Sequence, residues 1–264
     1  MAEPAERFYE SQGLQLHYAD WGNETAPPLI LIHGGLDHCR NWDAIARELQ
    51  PHFHVMAPDL RGHGDSEWAK GSSYGLSDNV YDLTRLMRFA EIQDAAIVGH
   101  SMGGMVALGY AGTYPDRVSR LVVLDGAFLS GSQPAPIAEQ MSRWIDQLDR
   151  ISEYEPSAFK TIEEAAQRLS ARNKRLTPEL ALHLARHGVR QDADGRYRSL
   201  PAGEGAVPAL DGRLHRFVVA HYLSYPADVG QRKLSSRPRG RWPARLFQGR
   251  RTREGNGRRT LASS

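Results

Sequence analysis

Cysteine is nearly absent from the 264 residues: the single one, Cys39, excludes an internal disulfide framework and fits a reducing compartment. No run approaches the ~20 apolar residues that cross a bilayer, and Met1–Glu10 lacks the basic-then-apolar pattern of a secretory leader. These absences give the expectation of a soluble, cytoplasmic protein. Strand or helix periodicity is missing from about Ser199 onward, and no histidine follows His221. Acids are scarce at the same end. Residues 231–264 carry ten Arg and one Lys against Glu254 alone, a net of +10 that leaves the first 230 residues at −8. Such Arg/Gly/Ser/Pro-rich sequence buries too little surface to offset the entropy of ordering it.

What is present in the first 200 residues is the pattern of a globular α/β protein, 41% hydrophobic and 24% charged over the whole chain. The length allows one large domain or a domain with an inserted cap. Arg7–Tyr18 alternates like a hairpin broken at Ser11-Gln12-Gly13. Leu29–Ile32 is a continuous apolar run of the kind buried on both faces of a sheet, and it ends at His33-Gly34-Gly35. Trp42–Leu49 has helical spacing with Asn41 as N-cap, Phe53–Ala57 is a short strand, and Asp59–Ser66 is a turn-rich loop. Ser77 caps a helix carrying Val80, Leu83, Leu86, Met87 and Ala90. Ala95–Val98 is a second buried run. It leads into Gly99-His100-Ser101-Met102-Gly103-Gly104 and an apolar helix to Tyr114 that holds Gly103, Gly104, Gly109 and Gly112; close packing is the expected compensation for those glycines. Leu121–Leu124 is the next strand, ending at Asp125.

Strands alternating with helices at this spacing predict a doubly wound, mostly parallel sheet whose ligand sites lie beyond the strands' carboxyl ends. His33–Gly35, Ser101 and Asp125 all stand just past such ends. A G-x-S-x-G turn between strand and helix holds its serine in a cramped backbone conformation, with glycines where side chains would collide. Gly99–Gly103 has that pattern and that context.

These segments, in this order, resemble the α/β-hydrolases. His33-Gly34-Gly35 with Trp42 following, the Asp59–Ser66 loop, Gly99–Gly104, and Tyr114–Val118 before Leu121–Asp125 carry the resemblance, which covers roughly residues 8–128. It implies a cofactor-free serine hydrolase acting on an ester, thioester or related acyl bond of a small molecule. Ser101 would be the nucleophile, and the amides of Gly35 and Met102 the oxyanion hole. A serine at the elbow argues against the family's dehalogenases and epoxide hydrolases, which form their ester on a carboxylate. Some members place the triad acid after the sixth strand, where Asp125 stands; the alternative is a turn-forming aspartate before Gly126. Esterase, lactonase, carbon–carbon hydrolase and perhydrolase share these residues.

The other candidates carry blander readings. His100 points away from its neighbour Ser101 across the turn and packs; His33 shapes the oxyanion loop; Cys39 is a small buried side chain. His52 and His54 alternate on a strand, and His183 and His187 sit four apart on a helix, but neither pair shows a third ligand, so no metal site is expected. Residues 129–198 read as a helical cap built from Ile137–Tyr154, Ile162–Leu169 and Pro178–His187, with Gly188 as a stop and Asp192–Gly195 as a turn; Met141 and Trp144 are candidate substrate contacts. Residues 199–264 form an irregular basic segment in place of the family's last strands and catalytic histidine, leaving only His215 and His221 as candidate bases and Leu121–Leu124 as an apolar sheet edge.

Three explanations for that segment stay open. A shifted reading frame is the leading one, tested by translating the other two frames past residue 199. A genuine basic tail is the second, although it lacks the fold or aromatic platform of a nucleic-acid binder, so no nucleic acid is expected. A non-catalytic hydrolase-fold protein that binds a ligand is the third. Nothing in the sequence fixes the oligomeric state.

Overall fold

The computed structural model describes residues 3–69, 74–125 and 157–200, together with Ala138 and Ser142. A six-stranded sheet runs in the order β1-β2-β4-β3-β5-β6, formed by Ala5–Ser11, Leu14–Asp20, Pro28–Ile32, His54–Pro58, Ala95–His100 and Val118–Leu124, numbered β1 to β6 along the chain. The first two strands form an antiparallel hairpin, and β2 is antiparallel to β4. β4, β3, β5 and β6 are mutually parallel. The hairpin turns through Gln12 and Gly13, both at positive φ (51° and 74°), the twist that a two-residue turn between strands requires.

Alternation along the parallel strands feeds two separate cores. Ile30, Ile32, Met56, Ile97 and Leu121 face α2 (Leu76–Phe89) and α3 (Met102–Thr113), packing on Leu83, Leu86, Val106 and Tyr110. Leu29, Leu31, Val55, Ala96, Val98 and Leu124 face the opposite side, where Trp42, Ile45 and Leu49 cover them from a 3-10 turn at Cys39–Trp42 and α1 at Asp43–Leu49. Each such side chain, removed from water, contributes about 1.5–3 kcal/mol. Helices on both faces of a parallel sheet are the doubly wound arrangement read from the sequence.

Two helix starts differ from expectation. Asn41 is not an N-cap: the 3-10 turn runs straight into α1, and the Asn41 amide donates instead to Asp37. Ser77 does not cap α2 either. Its cap is Gly75, whose amide donates to the Asp78 carboxylate 3.0 Å away, a reciprocal bond that satisfies an amide just outside the first turn.

Beyond β6 the described chain resumes at Ser157. Two amphipathic helices, α4 (Ile162–Arg172) and α5 (Pro178–Gly188), start at Thr161 and Thr177, whose hydroxyls accept from Glu164 and Leu180 amides. They pack with a small antiparallel sheet the sequence did not disclose: Ala158–Phe159 (β7), Val189–Gln191 (β8) and Tyr197–Ser199 (β9), in the order β7-β9-β8. Asp192–Gly195 is the turn between β8 and β9. The predicted helix over 137–154, apart from Ala138 and Ser142, and the basic segment from residue 201 lie outside the described residues. Among the described residues β6 pairs with β5 alone, and Leu121, Val122 and Val123 are only half-buried. No helix among them is long and apolar enough to cross a membrane.

Candidate active site

The turn between β5 and α3 is locked from three sides. Ser101 has φ 49° and ψ −113°, a left-handed conformation that a residue with a Cβ adopts only under strain of about 1–3 kcal/mol. Its amide donates to the Leu124 carbonyl of β6 (2.9 Å), and its carbonyl accepts from Gly104 (3.0 Å). The start of α3 is pressed so closely on the sheet that a Cβ at Gly103 would strike the carbonyls of Ile32 and His33, and one at Gly99 the carbonyl of Gly103. A Cβ at Gly104 would come within 2.8 Å of Val123. Close packing therefore explains these glycines. It also explains Gly109, where a Cβ would lie 2.9 Å from Val80, but not Gly112, which faces open space.

Met102 is the first residue of α3, so its amide has no partner within the helix and points with the positive end of the helix dipole. Gly35 stands beside it: a Cβ there would lie 3.7 Å from Met102 Sδ. Among the described residues neither amide donates a hydrogen bond, and Gly35, Ser101 and Met102 are all half-buried. The loop carrying Gly35 is held by two neutral imidazoles. His33 Nε2 accepts from the Leu60 amide (3.0 Å), which leaves its Nδ1–H to donate to the Gly34 carbonyl (2.6 Å). His63 Nε2 accepts from the Leu36 amide (3.3 Å), while its Nδ1–H donates to the Arg61 carbonyl. Burial pushes His63 down to about 4, so it stays an acceptor at neutral pH. His33 thus shapes this loop, as expected; His63, in the turn-rich loop, shares that role without a sequence signal that marks it.

That loop is itself anchored by Asp59, which is buried and accepts from His17 Nδ1 (2.7 Å) and the amides of Cys39 and Asp65. Burial alone would raise the Asp59 carboxyl, but the His17 bond and charge outweigh it and hold it far below the usual carboxylate range. His17 in turn lies 2.6 Å from Glu6; burial pulls it down, yet the bonds to Asp59 and Glu6 prevail and lift it to about 9. Cys39 is buried beside this group, and burial pushes its thiol well up, so it is an inert packing thiol rather than a nucleophile.

His100 is buried beneath the turn, with Nδ1 2.8 Å from the position a Gly34 Cβ would occupy. It packs, and burial lowers its pKa. Asp125 follows β6 directly, is exposed, and has φ 51°, so a second left-handed residue adjoins the strand end whose carbonyl holds Ser101. Among the described residues no histidine ring bonds the Ser101 hydroxyl. His215, His221, Met141 and Trp144 lie outside the described residues. His52 and His54 do not share a strand face: His52 precedes β4, and His54 bonds Asp20 (2.9 Å). The expectation that His183 and His187 have no third ligand near them is corrected: Asp43, on α1, lies 3.1 Å from His183. Between the β3–α1 segment and α4 and α5 lies a cavity of about 50 Å³, lined in part by Leu36, His38, Arg168 and Asn173, well below the roughly 300–1,000 Å³ of small-molecule sites.

The strained serine, the close-packed glycines and the sheet order define a hydrolase scaffold. A family model described as the alpha/beta hydrolase fold matches residues 27–249, and the chain belongs to that family. The match runs past Ser199, where legible patterning stops. The chain is 36% identical over 137 residues to "Lipase LipV" of Mycobacterium tuberculosis, covering 52% of this chain and 51% of that protein. It is 32% identical over 154 residues to "2-hydroxy-6-oxo-2,4-heptadienoate hydrolase" of Pseudomonas putida, covering 57% and 51%. It thus spans about half the length of these curated relatives. Among solved structures, the "Thioesterase Domain From Curacin Biosynthetic Pathway" superposes with a TM-score of 0.68 at 26% identity, covering 79% of this chain and 76% of that one.

Proposed function

We propose that this protein is a serine-dependent hydrolase of carboxylic esters or related acyl bonds in small molecules, with Ser101 as nucleophile. The observation that carries this reading is the strained Ser101 set beside two amides, Met102 and Gly35, that donate no other hydrogen bond among the described residues. Ser101 Oγ attacks the carbonyl carbon and passes its proton to a histidine. The developing oxyanion is met by the two amides, which are fixed before reaction and need no reorganisation. Collapse expels the alcohol or thiol with that proton, and water then releases the acid from the acyl-serine. Asp125 is the proposed acid, and His215 and His221 are the candidate bases. The relatives named lipase, thioesterase and hydrolase fit acyl chemistry. One named "Epoxide hydrolase 4", from mouse, fits less well with a serine at the elbow. Residues 129–198 are the proposed cap, and the proposed reaction uses no cofactor.

A fluorophosphonate probe tests the proposal, because it phosphonylates, with loss of fluoride, only a serine activated by a base. Labelling of the full chain that disappears in Ser101→Ala, together with ester turnover, is expected. Labelling unchanged by the substitution would remove Ser101 from the chemistry. The alternative reading is a ligand-binding protein on the hydrolase scaffold, which requires neither labelling nor turnover.

A further inference from the structure

His183 and His187 occupy successive turns of α5, with ring centroids 4.9 Å apart, so both imidazoles lie on one face of the helix. That face meets the start of α1. Asp43 Oδ2 lies 3.1 Å from His183 Nε2, and the donor atoms of Asp43, His183 and His187 all fall within 4.8 Å of one another. A fourth side chain adds an independent observation: His38 is 5% exposed, its Nδ1 is buried without a hydrogen-bond partner, and its ring lies 6.5 Å from that of His187.

We propose that Asp43, His183 and His187 form a binding site for a divalent transition-metal ion of the zinc class, tying α5 to α1. Two imidazoles and a carboxylate match the ligand types zinc uses, whereas magnesium and calcium take all-oxygen sets. Bonds of about 2.0–2.2 Å from a tetrahedral centre require donor atoms a little over 3 Å apart. The 3.1 Å pair already meets that spacing, and rotation of the His187 side chain closes the rest. A water molecule, or His38 after a turn of its side chain, would supply the fourth donor.

The carboxylate is held in place by its neighbours, among them Arg47, whose Nη2 lies 3.7 Å from Asp43 Oδ2. Asp43 accepts from Arg40 Nε at 3.0 and 2.9 Å, an outer bond of the kind that orients a metal-binding carboxylate. The Arg40 charge does not stand unopposed against the metal, because Glu3 (2.6 Å) and Glu6 (2.8 Å) also bind its guanidinium. Without metal, His183 Nε2–H donates to Asp43 and to the Arg40 carbonyl (3.2 Å). A metal bound at Nε2 takes the place of that N–H, and Nδ1 carries the ring's remaining proton. The site differs from the Ser101 centre in every residue, and its failure or success leaves the hydrolase reading untouched.

The test is calorimetric titration of the metal-stripped full chain with zinc chloride, beside magnesium chloride, in wild type and in His187→Gln and His183→Gln. One zinc per chain, no magnesium binding, and a loss of zinc affinity of about tenfold or more in each variant are expected, as is the visible spectrum of tetrahedral cobalt when cobalt(II) replaces zinc. Far-UV circular dichroism shows whether each variant is folded, and the cobalt spectrum of wild type gives an answer that needs no variant. Zinc binding of equal strength in a folded His187→Gln, or an octahedral cobalt spectrum in wild type, overturns the proposal.

Discussion

Replacing Ser101 by glycine should stabilise the protein, and the comparison that isolates the effect is Ser101→Gly against Ser101→Ala. Both variants lose the hydroxyl, which has no hydrogen-bond partner among the described residues. Both keep the 2.9 Å bond from the residue 101 amide to Leu124. They differ in the Cβ. Alanine retains the clash that makes φ 49°, ψ −113° unfavourable, worth about 1–3 kcal/mol. Glycine relieves it but makes the unfolded chain freer, at a cost of about 0.4–1 kcal/mol. The difference lies between about 0 and about 2.6 kcal/mol in favour of glycine, with a midpoint of about 1.3 kcal/mol, or roughly 3–5 °C in Tm for a domain of this size. Differential scanning calorimetry at one scan rate measures it, and both variants should fail to react with a fluorophosphonate. If Ser101→Gly melts below Ser101→Ala, the turn stores no strain and the backbone geometry gives no reason to single out the serine.

Gly103→Ala should behave in the opposite sense, because its Cβ would strike the Ile32 and His33 carbonyls, which belong to backbone and cannot swing aside. A loss of about 3 kcal/mol or more is expected, together with esterase activity out of proportion to the folded fraction as α3 shifts off the sheet; a wild-type Tm would refute the contact. Stability should also fall on the alkaline side. His17 is held at about 9 in the folded protein against 6.5 as its ordinary value, so its contribution is complete below about pH 6.5 and is lost as pH rises through 9, up to about 3 kcal/mol in total. Asp59 is lowered, so its contribution is complete above the usual carboxylate range and is lost only as pH falls below it. Urea melts from pH 5 to 10 should show the alkaline decline in wild type and a flatter profile in His17→Gln; parallel profiles would show that His17 does not carry the charge.

The sequence disclosed those elements whose signal is local and strong. β3 and β5 are continuous apolar runs because helices cover both their faces, and the Gly99–Gly104 turn is legible because every residue that shapes it is consecutive. The missed features follow from the same physics. A 3-10 turn at Cys39–Trp42 leaves the polar residue before a helix without a capping duty, so Asn41 misled. Gly75 and Asp78 form a cap without the hydroxyl that marks one, so the visible signal falls on Ser77 instead. β7 to β9 are two or three residues long, too short for a period of two to show. Asp43 and His183 are separated by 140 positions, and only the docking of α5 brings them together.

The division between what is local and what is distant runs through the active site itself. Ser101, Met102 and Gly35, with the carbonyls of Ile32, His33 and Leu124 that fix them, all come from residues 32–124, and the supporting histidines His33 and His63 come from the same span. The proposed nucleophile and oxyanion donors are therefore positioned by β3, β5, β6 and α3 together with the loop braced by His33 and His63. A triad histidine is different in kind. It needs no fixed sequence distance from the serine, only a chain that returns to the carboxyl edge of the sheet, and so it leaves no local pattern. In such a scaffold the strain at residue 101 belongs to the fold, whereas reactivity of the hydroxyl depends on one proton acceptor brought from elsewhere. Calorimetry on Ser101→Gly reads the first property and fluorophosphonate labelling of wild type reads the second. A strained Ser101 that resists the probe would place the fault in the base and leave the elbow intact.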